Sequence, residues 1–123
     1  MLLAEIGDVK LRSARSKFAA NFFGCAGFKI VTQRFDSVDE IADAAKNDAD
    51  IVVLCSSDPE YPALATTLIA RLAELGRKVP VIVAGYPDSV EQLKAGGVAD
   101  FVHVRSNPVE TLAKWQQQVG IKS

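Results

Sequence analysis

Ile51-Val52-Val53-Leu54-Cys55, followed at once by Ser56-Ser57-Asp58-Pro59, is the stretch that decides the fold of this chain. An unbroken apolar run rich in β-branched residues and closed by turn formers describes a strand buried on both faces. Val79 to Ala84, ending at Gly85, has the same character. Strands of this kind lie mid-sheet in parallel sheets covered by helices above and below, so these two are expected at the centre.

Working outward, further short apolar runs stand at Leu2-Ile6, Phe28-Thr32 and Phe101-Val104, and each is followed by a helical pattern. The repeat of strand and helix is that of successive βα units. The first helix places Ala14, Phe18, Ala19, Phe22 and Phe23 on an inward face and ends between Gly24 and Gly27. The second is expected to open on Ser37 with Glu40 completing a capping box, and to bury Ile41 and Ala44. Leu64, Leu68, Leu72 and Leu75 stripe the third, which stops at Gly76, with Arg71, Glu74 and Arg77 towards solvent. Asp88-Ser89 opens the fourth, which exposes Glu91, Gln92 and Lys94 and closes at Gly96-Gly97. Asn107-Pro108 opens the fifth, which buries Val109, Leu112 and Trp115. Right-handed crossovers put these helices on both faces, and the expected product is a flavodoxin-like (Rossmann-like) three-layer α/β sandwich with strand order 2-1-3-4-5. Ligands in that architecture bind beyond the carboxyl ends of the strands, which directs attention to residues 7–13, 56–61, 85–88 and 103–107.

A chain of 123 residues is one domain and buries roughly two-thirds of the surface its unfolded form exposes. Its formal net charge of -1 supplies no basic field, so nucleic acid is not an expected partner. Its apolar runs fall far short of the ~20 residues that span a bilayer, so no membrane partner is expected either. Strand-like residues begin at Leu2 and leave no room for a leader, and the two cysteines have no metal-ligand spacing; a reducing cytoplasm is the expected compartment.

The strand ends lack the residues that several chemistries of this fold require. A phosphoacceptor domain of this strand order needs an acidic cluster, an aspartate, a hydroxyl and a lysine where this chain has Asp8, Cys55, Ala84 and His103. A flavin phosphate loop needs small residues where Lys10-Leu11-Arg12 stands. Cys55 and His103 would be separated by a whole strand, ~10 Å, which leaves an inert buried thiol as the simpler reading. Cys25 and Cys55 belong to opposite sheet edges and should both be free. His103 alone builds neither a metal site nor a triad, and is read as a hydrogen-bonded edge residue. Ser56-Ser57-Asp58-Pro59 is read as a cap for the third helix. Lys10, Arg12, Arg15 and Lys17 form a positive patch, either a solvated face or a contact for an acidic partner.

Landmarks in order along nearly the whole chain carry a further likeness. They are Asp8 after the first strand, Gly27-Phe28, Ala49-Asp50-Ile51-Val52-Val53, Ser56-Ser57, Val83-Ala84-Gly85 and Gly96-Gly97-Val98-Ala99-Asp100. With them the chain resembles the C-terminal cobalamin-binding domain of methylmalonyl-CoA mutase and related carbon-skeleton mutases. The motifs of that family are Asp-x-His-x-x-Gly in the first loop, Ser-x-Leu after strand three and Gly-Gly after strand four. Here those places read Asp8-Val9-Lys10-Leu11-Arg12-Ser13, Ser56-Ser57-Asp58 and Ala84-Gly85. By the resemblance, the family histidine ligates cobalt; a protonated lysine at Lys10 has no lone pair to offer. Ser13 adds a side chain where the cofactor's nucleotide tail approaches the backbone, and Asp58 would bring an unpaired carboxylate into the tail pocket.

Asp8, Lys10, Ser13, Ser56, Asp58 and Gly85 are therefore expected to be degenerate cobalamin-motif positions, with no cofactor, metal or catalytic residue in this domain. The pattern is similar to the degenerate small (beta) subunit of the heterodimeric mutase. That resemblance implies an N-terminal barrel domain in a longer natural chain, and a large catalytic subunit as partner. It also implies adenosylcobalamin in that partner, and interconversion of methylmalonyl-CoA and succinyl-CoA by the complex. The alternative is a stand-alone module that binds cobalamin or another small ligand at the carboxyl-edge cleft, where Lys10, Arg12, Ser56, Ser57 and His103 are expected to converge.

Overall fold

Residues 51–57 are all buried, and the sheet is built around them. The computed structural model describes residues 1–24, 27–48, 50–76, 79–103 and 108–119. Strand β3 (Val52–Cys55) lies between β1 (Leu2–Glu5) and β4 (Val81–Ala84); β2 (Val31–Arg34) flanks β1 and β5 (Asp100–Val102) flanks β4. All four pairings are parallel, giving the expected order 2-1-3-4-5.

Successive side chains on a strand face opposite ways, so the sheet divides the interior into two layers. Leu2, Ala4, Val52, Leu54, Val81 and Val83 pack against helices α2 (Val38–Asp48), α3 (Tyr61–Glu74) and α4 (Val90–Ala95) through Ile41, Leu68, Leu72 and Leu93. Leu3, Val53, Cys55, Ile82, Ala84 and Val102 pack against α1 (Val9–Gly24) and α5 (Pro108–Val119) through Ala19, Phe23 and Trp115. Each fully buried Leu, Ile, Val or Phe contributes ~1.5–3 kcal/mol, and β3 and β4, buried at every residue, add to both layers.

Several elements differ from the sequence reading for identifiable reasons. Strand β2 starts at Val31 rather than Phe28, because its register places Val31 beside Leu2. Phe28 instead turns inward, its ring edge-on to Phe23 at 5.4 Å. All four β2 residues are exposed, so its burial supplied no pattern to read. Strand β4 starts only after Pro80, which has no N–H to give the ladder but accepts from Val52 through its carbonyl at 3.0 Å. Val109 is exposed rather than buried, whereas Trp115 is buried and donates its indole N–H to Asp100 at 2.9 Å.

The Ser37 hydroxyl accepts the Glu40 N–H at 3.3 Å as expected, but the Glu40 carboxylate takes the N–H of Asp36, one residue early, at 3.1 Å. Cys25, Arg77, Val104 and the Asn107 cap lie outside the described residues. Cys55 is a buried free thiol.

Candidate functional site

The carboxyl ends of the strands meet at one edge, and three loops build it. The first, Ile6 to Asp8, turns at Gly7, whose φ of +83° suits a residue without a side chain. Asp8 acts there as the cap of α1, its Oδ1 accepting the Leu11 N–H at 3.0 Å. Lys10 follows on the exposed first turn of α1. Ser13 is half-buried, and its carbonyl accepts the Ser16 hydroxyl at 3.1 Å.

The second loop runs from Ser56 through a single 3-10 turn at Asp58–Glu60 into α3. Neither serine caps that helix, contrary to expectation: the 3-10 turn intervenes, Glu60 stands at the N-cap position of α3, and the Ser57 hydroxyl is engaged within the loop. The Ser57 hydroxyl donates to Glu60 Oε1 at 2.6 Å, and the Ser56 N–H donates to the Tyr61 hydroxyl at 3.0 Å. The Glu60 carboxylate also accepts the Asp8 N–H at 3.0 Å, which ties the second loop to the first. A Cβ on Gly7 would stand 1.9 Å from Glu60 Oε2 and 2.7 Å from Ser56 Oγ. The buried Ser56 hydroxyl has no hydrogen-bond partner among the described residues.

The third loop leaves β4 at Gly85, whose φ is +145° and whose N–H donates to Val102 at 2.8 Å. Arg15 reaches across from α1 to this point. Its Nη1 donates to the Ala84 carbonyl at 2.8 Å and its Nη2 stands 3.0 Å from Asp58 Oδ1, with the guanidinium 5.9 Å from the centre of the Tyr61 ring. A Cβ on Gly85 would meet Arg15 Nη1 at 1.9 Å. Tyr61 donates its hydroxyl to the same Ala84 carbonyl at 2.6 Å, so that oxygen accepts twice.

Burial works against the Arg15 charge, but Tyr61 and Asp58 outweigh it and hold its pKa above the ordinary value. Burial pushes the Tyr61 phenol up, against the opposing effect of the Ser56 N–H and Arg15. The Cys55 thiol is also pushed up, by burial first and by Glu5 second. A thiol held protonated in this way is a poor nucleophile.

Asp58 is thus paired rather than an isolated buried carboxylate, and its side chain is 46% exposed. Arg15 leaves the positive patch on α1 by turning inward. Arg12 donates to the Gly7 carbonyl at 3.3 Å, and Lys10 and Lys17 remain exposed. Sequence reasoning named Asp58 and Gly85 but missed Arg15 as the partner of both, and missed Glu60 and Tyr61 as the groups that tie Asp8, Ser57, Ser56 and Ala84 together. An Arg two turns into α1 and a Tyr after a 3-10 turn carry no local signal of where their tips will meet.

Beside the Arg15–Asp58 pair is a cleft of about 580 Å³ lined by Ala14, Phe18, Gly85, Tyr86, Val102 and His103 together with that pair. The His103 ring lies 4.7 Å from that of Tyr86. Lys10, Arg12, Ser56 and Ser57, expected to converge with His103, do not line it. A second hollow, between Met1, Lys29, Gln33 and Asp50, lies at the opposite edge. Among the described residues no group of three His, Cys, Asp or Glu could hold a metal ion, and no helix is long and apolar enough to cross a membrane.

No protein-family profile matches the chain. In fold it is similar to a solved structure from Burkholderia thailandensis described as a pilus assembly protein, with a TM-score of 0.54 and 18% identity over 97% of each chain. A pilus assembly chain of Sinorhizobium meliloti gives a TM-score of 0.47 at 18% identity, covering 96% of this chain and 99% of that one. In sequence it is 45% identical, over 99% of its length, to the methylmalonyl-CoA mutase small subunit of Porphyromonas gingivalis. It spans 20% of that relative's length. The chain is therefore a small-subunit mutase-like domain, a flavodoxin-like unit similar along nearly its whole length to about a fifth of that subunit.

Proposed function

We propose that this domain is a non-catalytic, cobalamin-free structural unit of the small subunit of a heterodimeric methylmalonyl-CoA mutase. In this reading a large catalytic subunit is the partner and carries adenosylcobalamin, and the complex interconverts methylmalonyl-CoA and succinyl-CoA in the cytoplasm. In the same reading the natural chain is longer and carries an N-terminal barrel domain ahead of these residues. The observation that carries the reading is the seat of Arg15: the face of Gly85, where a ligand would approach bare backbone, is filled by the chain's own guanidinium.

The donor set points the same way. Lys10 stands where the family has a cobalt-ligating histidine, and a protonated ammonium has no lone pair to coordinate with. Glu60 fills the space over Gly7, and Asp58, in the tail-pocket position, is committed to Arg15. These residues do not fit cobalamin, and no step of the reaction is assigned to them.

The test is a visible-absorption titration with hydroxocobalamin and methylcobalamin. The natural domain is expected to leave both spectra unchanged. A variant combining Lys10→His, Ser13→Gly, Asp58→Leu and Arg15→Ala should gain a saturable change. Binding by the natural domain near one equivalent overturns the reading and makes it a cobalamin carrier.

A further inference from the structure

We infer that the open edge of β2 docks a second copy of this chain, whose own β2 adds to it antiparallel across a two-fold axis and joins the two five-stranded sheets into one.

The two edges of the sheet are finished differently. At β5, Phe101 and Val102 are buried, and Trp115 of α5 donates to Asp100. At β2 all four residues are exposed, Val31 by 51%, so neither flanking layer closes over them. Residues 28–36 contain no proline, and the register with β1 runs without a bulge. Proline, a bulge and a covering helix are ordinary means of blunting an edge strand, and β2 has none of the three.

Backbone alternation decides which groups are on offer. Val31 and Phe35 give their N–H groups to Met1 and Glu5 at 3.0 and 2.8 Å. Residues two apart on a strand point the same way, so the N–H and C=O of Thr32 and Arg34 face outward, and no strand lies beyond them among the described residues. A two-fold axis that sets Thr32 opposite Arg34 of the second copy satisfies both outward pairs at once. Gln33 then lies on the axis, where two carboxamides can exchange donor and acceptor, and the Thr32 hydroxyl can accept from the facing guanidinium.

Charge fixes the direction and the occupant. Lys29 stands before β2, whereas Asp36 follows it beside Glu40, whose carboxylate holds the Asp36 N–H at 3.1 Å. All three are exposed. An antiparallel copy brings Lys29 of each chain to Asp36 and Glu40 of the other, whereas a parallel copy sets like charges together. The strand is thus complementary to itself, as a two-fold contact requires. A strand pair this short buries less than a standard interface, so the association is weak and concentration-dependent. The inference goes beyond the mutase reading and stands without it.

The experiment is sedimentation velocity of the chain from micromolar to millimolar concentration, with amide hydrogen exchange followed by 15N NMR over the same range. A monomer–dimer equilibrium is expected, in which the Thr32 and Arg34 amides gain protection as the dimer forms and those of β4 do not change. Thr32→Pro removes an outward N–H at an edge position where proline is tolerated, and should weaken association about tenfold or more in a folded chain. Lys29→Glu should weaken it about fivefold or more, and adding Asp36→Lys should restore most of the loss. A monomer at every concentration overturns the proposal. So does new protection confined to residues outside β2, unchanged association in Lys29→Glu or in a folded Thr32→Pro chain, or a charge exchange that restores nothing.

Discussion

Arg15 Nη1 occupies the space that a Cβ on Gly85 would claim, 1.9 Å from where that atom would stand. The glycine after β4 therefore seats a side chain from α1, and the contact joins the first helix to the end of a central strand. Gly85→Ala should lose stability from two sources, a φ of +145° that L-residues rarely adopt and the collision with Arg15. A loss of ~2–4 kcal/mol is expected by urea denaturation. In the Gly85→Ala, Arg15→Ala double variant the collision is gone, and the combined loss should be smaller than the sum of the singles by ~1 kcal/mol or more. Strict additivity would show that the two residues do not share this space in solution.

Tyr61→Phe removes one hydroxyl with two tasks. The Ser56 N–H loses its acceptor in a buried place, and Ala84 keeps only Arg15 as donor. A buried donor left alone costs ~1–3 kcal/mol, so the urea midpoint should fall by the equivalent amount at unchanged m-value. An unchanged midpoint would mean that the Ser56 N–H has another partner.

Glu60 is the link between the first and second loops. Glu60→Ala takes away the acceptor of the Asp8 N–H and of the Ser57 hydroxyl. Hydrogen exchange at the Asp8 amide should accelerate at least tenfold, while amides of β3 keep their protection. Equal acceleration in β3 would show that the link supports the whole domain rather than its edge.

Alkaline pH should weaken the fold. Burial holds the Cys55 thiol and the Tyr61 phenol protonated above their ordinary values of 9.0 and 10.0. A pKa raised by folding supports the fold fully below the unfolded value, and that support fades as pH rises from there towards the folded value. The decline for each group approaches about 1.4 kcal/mol per pH unit, beginning near pH 9 for the thiol. Melting curves between pH 8 and 11 test this: Cys55→Ala should flatten the early part of the fall, and an identical slope in that variant would remove the thiol from the account.

The central strands were readable because Ile51 to Cys55 and Val81 to Ala84 are apolar on both faces, a pattern that only a covered parallel sheet explains. The edge was harder. Strand β2 is exposed at every residue, so its position follows from its register with β1 and not from hydrophobicity. At the site, Gly7, Lys10 and Gly85 are local features and could be found by position. The partners of Asp58 and Gly85 could not, since Arg15 lies 43 residues before one and 70 before the other along the chain. Ser56 and Ser57 looked like a helix cap because the local rule for hydroxyls before a helix ignores the intervening 3-10 turn and the carboxylate three residues after Ser57.

Ala84 ends β4 with its carbonyl oxygen already receiving Arg15 and Tyr61. Both of its lone pairs are engaged, so the end of this strand has no vacancy for a guest's donor. Emptying the space over Gly85 by a single substitution at Arg15 strips one donor from that oxygen and leaves Asp58 without its counter-charge. The domain passes through a less stable sequence before any visitor can repay the loss. The arrangement works as a lock: a change at Arg15 alone leaves Ala84 and Asp58 each short of a partner, so opening this edge without loss requires several changes at once.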